Sequence, residues 1–89
     1  MRYRDFPKGD ARRYFVVLLA IDHMKRGEAT MHRVSTAVEC TRAEAQRAVH
    51  ALVEQFGVTV DRDGAAYLIS AWGALKKGEV EKLAVVVPI

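Results

Sequence analysis

Cysteine is nearly absent from the chain: Cys40 is the single one, so no intramolecular disulfide can form, and a reducing cytoplasm is the expected setting. Long apolar runs are missing too. The longest near the start, Tyr14 to Ile21, falls well short of the ~20 residues needed to span a bilayer, so no membrane partner is expected. The charged opening Met-Arg-Tyr-Arg-Asp is unlike a secretory leader. No glycine-rich phosphate loop, nucleophile elbow or pair of catalytic carboxylates occurs, and Asp61 and Asp63 flank a turn, where such residues serve turn chemistry. A chain of 89 residues is also small for a deep substrate pocket, so neither an enzyme nor a cofactor is expected. His23, His32, Cys40 and His50 lack the close paired spacing of zinc ligands, which argues against a metal. Cys40 reads as a small buried hydrophobe rather than a reactive thiol.

What is present is enough for one core. Hydrophobic residues make up 51% of the chain, although a domain this small is marginally stable alone and gains from dimerisation. The net charge of +3 is modest, and its distribution is uneven. Residues 2–13 hold Arg2, Arg4, Lys8, Arg12 and Arg13 against Asp5 and Asp10, whereas residues 54–64 hold Glu54, Asp61 and Asp63 against Arg62.

Residues 1–9 carry mixed charge without periodicity and read as a basic arm. A disordered terminus is the first expectation for it, and an arm reaching the minor groove of DNA through Arg2 and Arg4 is the second. Asp10 is a fair cap for a helix over Ala11 to Lys25, with Tyr14, Val17, Leu18, Ile21 and Met24 at helical spacing and Gly27 as its stop. Thr30 caps a short helix over Met31 to Val38, whose inner face is Val34, Ala37 and Val38. Thr41 and Glu44 make a capping-box signature for a third helix. This one runs to about Gln55, with Ala45, Ala48, Val49, Leu52 and Val53 as its apolar stripe.

Beyond Gly57 the pattern alternates. Val58 to Val60 is a strand candidate, Asp61 to Gly64 a turn, and Ala66 to Ser70 the returning strand. Three helices followed by a hairpin is the order of a winged helix-turn-helix: α+β, mainly α, over residues 10–70. Residues 71–89 form an apolar extension in which a fourth helix over Glu79 to Val86 is favoured above a strand at Val85 to Val87. Tyr67 and Trp72 are expected in the core, and Leu75, Val80, Leu83, Val85, Val86, Val87 and Ile89 are too many apolar groups to leave exposed. They are expected to fold back on the first helix or to form a dimer seam.

The segment Thr30 to Leu52 carries the functional signal. In a helix-turn-helix the second helix lies in the major groove with its N-terminal residues near base edges. Arg42, Ala43, Gln46, Arg47 and His50 fall opposite the apolar stripe of the third helix. Arginine can bind guanine bidentately, glutamine can pair with adenine, and a small alanine admits a thymine methyl. Thr41 and the helix start suit a phosphate, and Arg33 on the preceding helix would extend the basic ridge.

The stretch from Gly27 to Leu68 resembles the N-terminal winged helix of bacterial biotin protein ligases that double as repressors. The likeness lies in Thr41-Arg42-Ala43-Glu44-Ala45 through Leu52, in Phe56-Gly57-Val58-Thr59-Val60, and in Gly64-Ala65-Ala66-Tyr67-Leu68. The resemblance implies that Arg42, Gln46 and Arg47 face DNA and that the hairpin around Arg62 is the wing. Glu39 stands where the turn of that family holds glycine, and the wing is acidic apart from Arg62. No ligase-type domain follows, so ligase chemistry is not expected. The first expectation is a dimeric, double-stranded-DNA-binding regulator. The second is a winged-helix module for protein interaction, which the weak charge, acidic wing and apolar extension would suit. What separates them is whether Glu39 and Glu44 neutralise the ridge of Arg33, Arg42 and Arg47.

Overall fold

Phe15, Val16, Val17, Leu18 and Leu19 are consecutive and all buried, so the helix carrying them has no solvent face over this stretch. That helix is α1 (Arg12–His23), and the rest of the domain is wrapped around it. The computed structural model describes residues 2–84. After α1 come α2 (Met31–Val38), α3 (Arg42–Phe56), strands β1 (Thr59–Asp63) and β2 (Ala66–Ala71), and α4 (Lys77–Ala84); a 3-10 turn at Tyr3–Asp5 precedes it. The fold is α+β, mainly helical, in the winged-helix layout.

α1, α2 and α3 start where a side chain takes up a free backbone N–H group. Thr30 accepts from the Arg33 amide at 3.2 Å, and Thr41 accepts from the Glu44 amide at 3.1 Å. Asp10 lies one residue outside the cap position, held by Ala11, yet its carboxylate accepts from the Arg12 amide at 2.9 Å. α1 ends at His23, two residues before the expected Lys25, and Gly57 closes α3 in the left-handed conformation.

Two positions assigned to apolar stripes are exposed. With about 100° between successive residues, Ala37 and Val53 fall roughly 90–110° from the centre of their helices' buried faces, at the edge rather than the middle. Ala37 is accordingly exposed, and Val53 is 43% exposed. Packing between α1 and α3 runs through Ala45, Ala48 and Leu52, and the Phe15 and Phe56 rings meet edge to face at 5.4 Å.

The hairpin is longer than expected. Asp61 to Asp63 belong to β1, and the loop is Gly64-Ala65, flanked by the Asp63–Ala66 pair. Of the two loop residues only Gly64 has positive φ (62°), the mark of a II′ connection that matches strand twist. A bulge at Thr59/Val60 shifts the register near the hairpin base. The Tyr67 amide donates to the Ala29 carbonyl at 2.9 Å, and Thr30 bridges Ala66, so the wing is tied to the start of α2.

Both chain ends described here join the core. Tyr3 and Phe6 are buried, against the expectation of a disordered arm, because the N-terminal segment packs on α1 and covers surface that would otherwise be wet. α4 lies on α1 with Val80 and Ala84 buried, while Leu83 is 50% exposed. Lys77 Nζ lies 2.8 Å from Asp22 Oδ2, an oxygen hidden from solvent that has no well-angled hydrogen-bond donor, so the ammonium is its partner. Tyr67, Trp72 and Leu75 are half-buried against the core. Val85, Val86, Val87 and Ile89, and the last part of the expected helix over Glu79 to Val86, lie outside the described residues.

Trp72-Gly73-Ala74 turns back onto the end of α3, and the Ala74 amide donates to the Phe56 carbonyl at 2.8 Å. A Cβ at Gly73 would collide with backbone atoms of Phe56 and Gly57, and its φ of 60° disfavours any side chain. Gly73→Ala is expected to cost about 3 kcal/mol by strain and overpacking combined. Gly78, within α4 and facing open space, should behave oppositely: Gly78→Ala gains about 0.5 kcal/mol in urea denaturation.

Candidate nucleic-acid interface

The turn between α2 and α3 is closed by Glu39 in the left-handed conformation (φ 55°, ψ 53°). For a residue with a Cβ this costs about 1 kcal/mol. The turn is held from outside. The Arg4 guanidinium donates through Nη1 to the Glu39 carbonyl and through Nη2 to Glu44 Oε1, both at 2.8 Å. One side chain thus spans the end of α2 and the first turn of α3. Arg2 Nε adds a looser pair with the Glu39 carboxylate at 3.5 Å.

Glu44 is engaged several times over. Its Oε1 accepts from the Thr41 amide at 2.9 Å, completing the capping box. The Thr41 backbone N–H, followed by the Thr41 hydroxyl and Arg4, holds the Glu44 carboxyl below its ordinary value, against the opposing effect of desolvation. Thr41 is therefore committed to the cap, and the N-terminal positive end of α3 already faces a carboxylate. Cys40, half-buried beside it, has its thiol pushed up by burial and then by Glu44; its Sγ lies 3.3 Å from the Thr41 carbonyl.

On the outer side of α3, Arg42, Ala43, Gln46, Arg47 and His50 are all exposed, as their spacing requires. Ala43, Gln46, Arg47 and His50 line a shallow depression of about 490 Å³ together with Tyr14 of α1. The small Ala43 side chain leaves the outer side of the helix start open. Arg42 Nη2 lies 3.0 Å from His32 Nδ1, which holds the guanidinium over α2 and requires an unprotonated Nδ1. Arg33 is exposed on α2, beside His32 and Thr36. His50 Nε2 stands 3.9 Å from Glu54 on its own helix. Among the described residues no carboxylate pairs with Arg33, Arg42 or Arg47, since Glu39 and Glu44 are taken by Arg2 and Arg4.

Arg62 sits apart from this face. It lies over the Tyr67 ring at 4.3 Å and reaches the Tyr67 hydroxyl at 3.3 Å, its cross-strand partner in the hairpin. Asp63 next to it pairs with Arg26 at 3.5 Å. His23, His32 and His50 are on three different helices, and among the described residues no three potential metal ligands gather. No helix among them is long and apolar enough to cross a membrane.

Three residues of this candidate site were not legible as such in the sequence. Tyr14, expected in the core, is half-buried and opens onto the α3 face; Arg4 acts across 40 residues of sequence on Glu44; His32 meets Arg42 across the turn. None of these pairings has a local sequence signal. No protein-family profile, curated protein or solved structure matches the chain.

Because Glu44 titrates below its ordinary value of 4.5, its contribution to stability is complete above that pH and is lost as pH falls through the lower folded-state value. Glu44→Gln keeps a capping oxygen but removes the charge. The variant should be less stable than wild type at neutral pH, with the gap between their urea-denaturation curves closing below pH 4.5. A gap that stays constant through acid would mean that the carboxylate charge contributes nothing there.

Proposed function

We propose that the protein binds double-stranded DNA through α3 in the major groove and acts as a cytoplasmic transcriptional regulator. The main support is the composition of one exposed helix face. Arg42, Ala43, Gln46, Arg47 and His50 stand there together, and Glu39 and Glu44 beside the start of α3 are already paired with arginines of the N-terminal segment, which leaves Glu54 next to His50. Arg42 and Arg47 supply guanine or phosphate contacts, Gln46 suits adenine, Ala43 allows close approach to a thymine methyl, and His50 is secondary. Arg33 extends the same cationic surface onto α2. The resemblance of Gly27 to Leu68 to the repressor domain of biotin protein ligases points the same way. A two-fold dimer would set two α3 helices about 34 Å apart, one turn of DNA.

Two expected contacts contribute less. Thr41 is used within the protein as a cap, so its part in binding is to orient α3. Arg62 is stacked on Tyr67 between two exposed aspartates, which makes the wing a weak phosphate ligand and, with the modest net charge, favours a protein-interaction module instead.

Fluorescence anisotropy with random-sequence duplex across a salt series tests this. Wild type is expected to bind at micromolar or tighter affinity at low salt, with a steep negative salt slope. Arg42→Ala/Arg47→Ala should make that slope shallower by about one to two units if both arginines neutralise phosphates. A folded wild type with no binding at low salt would sink the DNA function and favour protein partners.

A further inference from the structure

Pro7-Lys8-Gly9-Asp10 is a tight turn in which the Asp10 amide donates to the Pro7 carbonyl at 3.0 Å. Gly9 supplies φ of 88° at the third position, as a type II turn requires, which places Lys8 at the outer corner. The turn is anchored on both sides. Phe6 is buried before it, with its carbonyl accepting from Arg13 Nε at 2.8 Å; Asp10 is locked to Arg12 after it, with Oδ2 2.6 Å from Nη2. Lys8 is therefore a cation on a fixed backbone, unlike one on a loose terminus.

This turn faces α3 across a cleft of about 560 Å³, to which Lys8, Gly9, Tyr14 and Arg47 contribute. The cleft adjoins the depression on the outer face of α3, since Tyr14 and Arg47 line both. Two carboxylates reach it, Asp10 and Glu44, and each is already held by an arginine, Arg12 and Arg4 respectively. Arg13 is engaged by the Phe6 carbonyl and the Tyr3 ring. Lys8, Arg13 and Arg47 have no carboxylate partner among the described residues; with Arg13 held by the Phe6 carbonyl, Lys8 and Arg47 are the cations left free in the cleft, which lies beside Gln46 and His50.

We propose that this cleft seats a phosphate of the DNA backbone at the edge of the major groove, with Lys8 and Arg47 as its cations; the proposal rests on DNA binding by α3. The major groove is bordered by phosphates, so a helix inserted in it brings flanking parts of the protein against the backbone. A lysine fits this place as a point charge that needs no particular donor geometry. The contact adds affinity and register without sequence preference, a role expected for the wing and here moved to the opposite end of the chain.

The test uses the full chain and the same salt series. Lys8→Ala is expected to make the slope of log K against log salt shallower by about 0.9, the value of one phosphate contact, equally on duplexes of different sequence. Lys8→Arg should restore it. Lys8 is exposed, and thermal melting by circular dichroism checks that the variants fold. A wild-type slope in Lys8→Ala would overturn the cleft while leaving DNA binding by α3 intact, whereas a wild type that binds no DNA would overturn both. Titration with inorganic phosphate alone separates the two sources of the group. Saturable amide shifts at Lys8 and Gly9 combined with an unchanged DNA slope in Lys8→Ala would assign the cleft to a free phosphorylated ligand and overturn the proposal.

Discussion

A helix with no solvent face must be covered from every side, and α1 imposes that demand between Phe15 and Leu19. α2, α3, α4, β2 and the N-terminal 3-10 turn all pack on it. Small domains bury a low fraction of their surface, so each covering element matters more than it would in a larger protein. This explains why Tyr3 and Phe6 at one end, and Val80 and Ala84 at the other, are core residues rather than appendages. It also fixes α3 in space: its Ala45, Ala48 and Leu52 are committed to the core, and the outward face is determined as the remainder.

Docking the N-terminal segment has an electrostatic consequence beyond packing. Once Tyr3 and Phe6 are seated, Arg2 and Arg4 stand over the α2–α3 turn and take Glu39 and Glu44. Exposed ion pairs contribute little to stability, about 0–1 kcal/mol each, so their larger effect is on where charge remains. Glu39 and Glu44 at the α2–α3 turn are occupied by arginines from elsewhere, and Arg33, Arg42 and Arg47 are left without carboxylate partners among the described residues.

Local chemistry was readable in particular residues. Thr30, Thr41 with Glu44, and Gly57 mark helix ends because capping is settled within a few residues of backbone. The face of α3 was readable because helical periodicity fixes which side chains oppose Ala45, Val49 and Leu52. Periodicity was a poor guide where burial was not one-sided: in α1 nearly every position is covered, and at Ala37 and Val53 the buried stripe is narrower than the apolar one. The hairpin turn, expected over Asp61 to Gly64, lies two residues later, because aspartate and glycine signal a turn without saying which residues close it; the Asp63–Ala66 pairing puts Gly64-Ala65 in the loop.

The sequence by itself determined the order of helices and hairpin, their caps, and the set of side chains on the outer face of α3, since all of these depend on neighbours a few residues apart. Only the tertiary structure decided which of those side chains keep their charge. Arg4 and Glu44 are 40 residues apart, Arg62 is withdrawn onto Tyr67, and Lys8 lines a cleft with Arg47 of a distant helix. Such pairings are set by how elements pack around α1, and nothing in the local pattern of residues encodes the distance between two charges on different elements.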